Sequence, residues 1–188
     1  MSVPPAPPII LASVSPQRRA ILEQLGLPFE VVAPRYEERG HDPVENAAGK
    51  ARSVDGGDRP VLGVDTEVVL EGEALGKPGT AGEAEAMLER LAGRTHEVVS
   101  GLCLRTSAWE ELHSETTRVT FRPLTARDLA RYLASGEWEN RAGGYAIQGV
   151  GGSLVERIEG DYLNVVGLPA ALLVRLLAGR FAGVYGFG

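Results

Sequence analysis

IILASVSPQRRAILEQLG (residues 9–26) joins an apolar run, a short polar bend and a helix, and its strand-then-helix order sets the class of the fold. Residues 9–12 are apolar without interruption, as expected of a strand buried on both faces. Ser15-Pro16 then reads as an N-cap followed by proline at the first helical position, where a missing N–H costs nothing. The predicted helix carries Ile21, Leu22 and Leu25 and stops at Gly26.

The same order repeats outward from this stretch. FEVVA (29–33) predicts a second strand, and Asp42-Pro43-Val44-Glu45 caps a helix to about Val54. RPVLGVDTEVVL (59–70) predicts a long strand that EGE (71–73) turns into a hairpin. Thr80 and Glu83 form a capping box for a helix ending at Gly93. Strands follow near 95–106 and 110–122, and Thr125 to Asp128 caps a helix ending at Gly136. SLVERIEG (153–160) predicts a further strand, and Pro169 opens a last helix to about Ala178. Alternating strands and helices imply an α/β fold, a mixed sheet flanked by helices. The reading is one domain over 1–188, with its core at about 9–178 and a Pro-rich tail at 1–8.

Composition narrows the partners. A chain of 188 residues with 44% apolar content can bury one core and is short for two. Its net charge of −6 argues against nucleic acid or an anionic membrane as a bulk partner, while leaving room for a local basic pocket. The single cysteine, Cys103, lies in GLCLRT and reads as a buried strand thiol. MSVPPAPP at the start lacks the features of a signal peptide, and the longest apolar run is broken by Arg175. The expectation is a soluble, cytoplasmic protein.

Cations point to chemistry. There are two lysines, Lys50 and Lys77, against seventeen arginines. A chain that otherwise writes its cations as Arg keeps Lys where a compact point charge is useful, as on phosphate, although two ordinary surface lysines satisfy the count equally. Arg18 and Arg19 stand in the first turn of the first helix, against its dipole, whereas the next three helices place Glu45, Glu83 and Asp128 there. An anionic ligand at that N-terminus accounts for the contrast; solvated arginines are the alternative.

Asp65 ends the apolar run PVLGV, and ligands of α/β sheets collect at the carboxyl ends of strands. Glu37 and Glu38 follow the second strand and suit a divalent cation of the magnesium kind, or simply a solvated loop. RAGGYAIQG (141–149) combines glycines with Gln148, which carries both a donor and an acceptor for a base edge; a surface loop is the plainer reading. Gly72 to Lys77 lacks Walker A spacing, Gly149-Val150-Gly151 is no dinucleotide fingerprint, and His41, His96 and His113 lack metal-ligand spacing.

Taken together, LASVSPQRRAILEQLG, LGVDTEVVLEGEALGKP, LAGRTHEVVSG and GYAIQGVGGSLVERIEGDYLNVVGLP resemble the Maf family of nucleoside triphosphate pyrophosphatases, in register over about residues 9–178. The resemblance implies a fold related to the inosine triphosphate pyrophosphatases, often dimeric. It also implies hydrolysis of a nucleoside triphosphate to the monophosphate and pyrophosphate, with a divalent metal (Mg2+ or Mn2+). Matched residue by residue, Asp65 falls on the catalytic base, and Ser13, Arg18, Glu38, Lys50 and Lys77 on the other polar active-site positions. Glu38 and Asp65 are the implied metal-holding pair. Thr66 and Gln148 match the branch acting on dTTP and UTP. Gln17 departs from that branch, which has Arg there, and from the 7-methyl-GTP branch, which has Trp. The implied partners are a nucleoside triphosphate and a second copy of the chain. A nucleotide-binding regulator of septum formation and a pyrophosphatase of the 7-methyl-GTP branch are the alternatives.

Overall fold

A computed structural model describes residues 6–188, so the first five residues of the expected Pro-rich tail lie outside the described residues. In chain order the elements are β1 (Ile9–Leu11), α1 (Pro16–Gln24), β2 (Phe29–Val31), α2 (Pro43–Arg52), β3 (Val61–Leu70), β4 (Glu73–Leu75) and α3 (Ala81–Leu91). Then come β5 (Thr95–Arg105), β6 (Glu110–Phe121), α4 (Ala126–Leu133), β7 (Val155–Glu159), α5 (Tyr162–Val166) and α6 (Ala170–Phe181). Among the described residues the strands form one seven-stranded sheet ordered β2-β1-β3-β5-β6-β7, with β4 on β3. β1 is parallel to β2 and β3, while β3–β4 and β6–β7 are antiparallel, which makes the sheet mixed, as expected.

Two compact units divide the chain: one runs through Asp65 and includes Ser100–Glu115 and Gly167–Gly188, and the other comprises Thr66–Val99 and Thr116–Val166. In the first, α2 turns Ala47, Ala48 and Ala51 onto Ile10, Val61 and Cys103, all buried. Such small side chains bring helix and strand close, and Gly63 completes the approach: a Cβ there would lie 2.1 Å from the Ala47 carbonyl oxygen. In the second, Val68, Leu88, Phe121, Tyr132, Tyr145 and Leu154 belong to one buried cluster. Cys103 is buried as expected, and burial pushes its thiol pKa up to about 12, so it is inert.

Local chemistry explains the boundaries. Ser15 and Asp42 cap α1 and α2, each followed by proline. Leu70 pairs with Glu73 across the two-residue turn Glu71-Gly72, with φ of 53° and 83°, so the EGE hairpin is of the kind that matches strand twist. The expected capping box at α3 is incomplete: Thr80 Oγ1 accepts from the Glu83 N–H, but the Glu83 carboxylate accepts from Gly79 N–H at 2.7 Å, one residue before the cap. The reciprocal box forms at α4 between Thr125 and Asp128. The last helix runs three residues past the expected Ala178, to Phe181, whose ring meets Trp109 and Tyr185 at centroid distances of 5.8 and 5.3 Å. The Gly-rich stretch holds 3₁₀ segments at Ala142–Gly144 and Val150–Leu154, and α5 was not foreseen. Among the described residues no helix is long and apolar enough to cross a membrane.

Candidate active site

In the first unit, β1 stops at Leu11 while its parallel partner β3 runs on. The last ladder bonds are Ala12 N–H to the Leu62 carbonyl at 2.9 Å and Val32 N–H to the Leu11 carbonyl at 3.0 Å, after which Ser13 N–H turns back onto the Leu11 carbonyl of its own segment at 2.9 Å. Asp65 therefore does not finish its strand, as its apolar prefix suggested; it is the fifth of ten residues in β3, just beyond the end of its neighbour. There the sheet edge opens, and α2 fills the face. Asn46 and Lys50, four apart on α2, share one helix face and both reach Asp65. Lys50 Nζ donates to Asp65 Oδ1 at 2.6 Å, and Asn46 Nδ2 donates to Asp65 Oδ2 at 3.1 Å. Lys50 also pairs with Glu38 at 2.5 Å, from the loop after β2. Asp65 and Lys50 are 5% and 6% exposed, so this pair is buried, whereas Glu38 is open to solvent on one side.

Burial alone would push the Asp65 carboxyl up. The charge and hydrogen bond of Lys50, then the charge of Arg18 and the bond from Asn46, outweigh it and hold the pKa below the ordinary carboxylate range. Asp65 is thus a firm anion and, while Lys50 stays bound, a weak base. Burial pulls the Arg18 guanidinium below its ordinary value, with Asp65 and Glu38 acting the other way.

The bend before α1 gathers a second group. Ser13 Oγ accepts from the Ser15 N–H and from Arg18 Nη1, both at 3.2 Å, and Arg18 Nε donates to the Gly167 carbonyl at 2.9 Å. Gln17 Oε1 accepts from the Ser15 hydroxyl at 3.0 Å. The two arginines part company here: Arg19 pairs with Glu23 at 2.8 Å on the exposed face, so it needs no ligand to explain it. Arg18 faces the acidic cluster.

In the second unit, Thr66 is half-buried on β3 next to Asp65 in sequence. Lys77 and Gln148 are exposed, and neither makes a hydrogen bond or ion pair with a described residue. Their loops are nevertheless joined, since Gly143 N–H donates to the Gly76 carbonyl at 3.1 Å. His96 is a core histidine: it is 2% exposed, its Nε2 lies 2.8 Å from the Tyr145 hydroxyl while its buried Nδ1 has no partner among the described residues, and burial lowers its pKa to about 4.

Among the described residues no three acidic, histidine or cysteine side chains gather as a metal cage. Two carboxylates nevertheless converge on one point, the Lys50 ammonium, from 2.5 and 2.6 Å. That donor set fits magnesium-type binding, in which one or two carboxylates share the ion with phosphate oxygens and water. Asn46 is the residue that sequence reasoning missed. It is fully buried, and its Oδ1 also accepts from the Arg39 N–H at 3.0 Å, which ties the Glu38 loop to α2. Its spacing of four before Lys50 was the available signal.

The family profile described as Maf-like protein matches residues 8–180. The dTTP/UTP pyrophosphatase of Deinococcus radiodurans is 47% identical over 191 residues, covering 97% of each chain. Its namesake in Nitratidesulfovibrio vulgaris is 49% identical over 94% of this chain and 90% of its own. The one in Thermus thermophilus is 45% identical over 93% of this chain and 95% of its own. Among solved structures, the Ham1 protein of Staphylococcus aureus matches 61% of this chain and 72% of its own, with a TM-score of 0.48 and 17% identity.

Proposed function

This chain belongs to the Maf family, and from that premise we propose that it is a dTTP/UTP pyrophosphatase, hydrolysing these nucleotides to the monophosphate and pyrophosphate. The observation that carries the reading is the buried Asp65 carboxylate, held by Lys50 and Asn46 with Glu38 on the same ammonium. Burying the Asp65 carboxylate against Lys50 is a poor device for stability, because desolvation offsets most of the attraction. The arrangement is more useful to an incoming phosphate chain, which offers Lys50 new partners.

In the proposed reaction, Asp65 takes a proton from a water whose oxygen bonds to the α-phosphorus, and the bond to the bridging oxygen of the β-phosphate breaks. Lys50, drawn from the carboxylates to phosphate oxygens, leaves Asp65 a stronger base than it is in the free protein. Ser13 and the amides opening α1 cradle a phosphate, and Arg18 and Lys77 meet the charge of the leaving pyrophosphate. Glu38 and Asp65 would hold the divalent cation, Mg2+ or Mn2+, that when bound offsets charge on the phosphates. Gln17, Thr66 and Gln148 are the proposed contacts to the base. A cytoplasmic homodimer is the setting that the family resemblance suggests.

The test is to incubate the protein with dTTP, UTP, CTP and 7-methyl-GTP, with and without magnesium, and to quantify pyrophosphate and orthophosphate. Pyrophosphate from dTTP and UTP in the presence of metal is expected. Stepwise orthophosphate would overturn the reaction type, and a preference for 7-methyl-GTP would overturn the branch.

A further inference from the structure

Gln148, the proposed base contact, has no hydrogen-bond partner among the described residues, yet the backbone that carries it is held on both sides. It lies in the turn Ala146–Gly149, which is closed by the Gly149 N–H donating to the Ala146 carbonyl at 3.2 Å. Before the turn, the Ala146 N–H donates to the Tyr132 hydroxyl at 3.0 Å, and the Tyr145 hydroxyl meets His96. After it, one side chain does the holding. The Glu137 carboxylate accepts from the Val150 N–H through Oε1 at 3.0 Å and from the Gly151 N–H through Oε2 at 3.2 Å.

Those amides open the 3₁₀ segment Val150–Leu154, whose N-cap, Gly149, has no side chain to satisfy them. The approach is tight: a Cβ on Gly149 would lie 2.3 Å from Glu137 Oε1, so glycine at 149 is the condition for the clamp. Glu137 is half-buried and forms no ion pair with a described residue; its carboxylate is committed to this backbone. A bidentate acceptor of this kind fixes two successive amides at once, and hence the direction in which the preceding residue projects.

We infer that Glu137 is a positioning residue for base selection: by clamping Val150 and Gly151 it holds the turn that presents Gln148 to the nucleotide base. The inference rests on the proposed base contact of Gln148. An exposed glutamine on a free loop would pay an ordering cost on each encounter and would sample many geometries, so its discrimination between bases would fall.

The experiment is a double-mutant cycle on substrate preference. The ratio of kcat/KM for dTTP over CTP is measured in the unmodified protein, Glu137→Ala, Gln148→Ala and the double variant. A ratio taken on one preparation does not depend on how much of the protein is folded. Glu137→Ala is expected to lower the ratio about tenfold, and to lower it no further once Gln148 is alanine. Glu137→Gln keeps one acceptor oxygen and should fall between. A ratio moved by Gln148→Ala but untouched by Glu137→Ala overturns the positioning role alone. Additive losses in the double variant overturn it too, because they place the effect of Glu137 elsewhere. A ratio unmoved by Gln148→Ala removes the base-contact reading and this inference with it.

Discussion

The two lysines of the chain solve different problems. Lys50 is buried between carboxylates, where its compact charge meets Asp65 at 2.6 Å and Glu38 at 2.5 Å. Lys77 stands exposed and without an ion pair among the described residues, so stability gives no reason for it, and Lys77→Ala should change the unfolding free energy by less than about 0.5 kcal/mol. If Lys77 meets charge that grows on the leaving group, the same variant lowers kcat more than it raises KM. A raised KM with kcat intact would instead indicate uniform phosphate binding. Asp65→Asn is nearly isosteric and keeps an oxygen for Lys50 to donate to but none for Asn46 Nδ2, so the fold should survive with reduced stability. Losing the carboxylate should lower turnover by about 10²-fold. Near-normal turnover in the folded variant would remove Asp65 from the role of base.

At the scale of elements, three features place the acidic cluster: β1 is short, β3 is long, and α2 lies close on β3. The short β1 follows from the early cap at Ser15, and the length of β3 from its continuation past Asp65 into the hairpin with β4. Close packing of α2 depends on Gly63 and on the alanines opposite it. Gly63→Ala would put a Cβ 2.1 Å from the Ala47 carbonyl oxygen and 2.9 Å from Ala51 Cβ, so α2 must move outward. The expected loss is about 2 kcal/mol or more of stability. Activity should fall as well, because α2 carries both Asn46 and Lys50. Thermal unfolding and turnover measured on the same preparation check this, and an unchanged midpoint would show that α2 has room to spare.

For the molecule as a whole, His96 gives stability a dependence on pH. Burial lowers its pKa from 6.5 to about 4, so between these values the unfolded chain binds a proton that the folded chain refuses. Stability from this group is complete above pH 6.5 and is lost as pH falls toward 4, by up to about 3 kcal/mol. Asp65 acts in the same sense at lower pH, since its depressed pKa contributes stability that disappears as the carboxylate is protonated. Chemical denaturation at pH 7 and pH 4.5 should show a smaller difference in His96→Asn than in the unmodified protein. Equal differences would mean that His96 is hydrated in the fold.

Much of this was readable along the chain, and for one physical reason. Caps, proline at helix starts, apolar runs and the EGE hairpin act within a turn or two, so their signals lie within a few residues of their effects. That range covers the α/β class, most of the strand and helix order, and the capped start of α1. The tertiary structure decided what depends on contacts between distant residues. Lys50 finds Asp65 fifteen residues on, Arg18 bonds to Gly167, and Glu137 reaches past the Gly-rich loop to Val150 and Gly151. Asn46 reads as an ordinary helix residue until α2 packs on β3, and Arg19 looks like a partner of Arg18 until the helix turns it to Glu23. Asp65 seems to end a strand until β1 stops short beside it. Chain order specifies which side chains are available, but only packing fixes their burial and their partners, and those determine charge, basicity and reach.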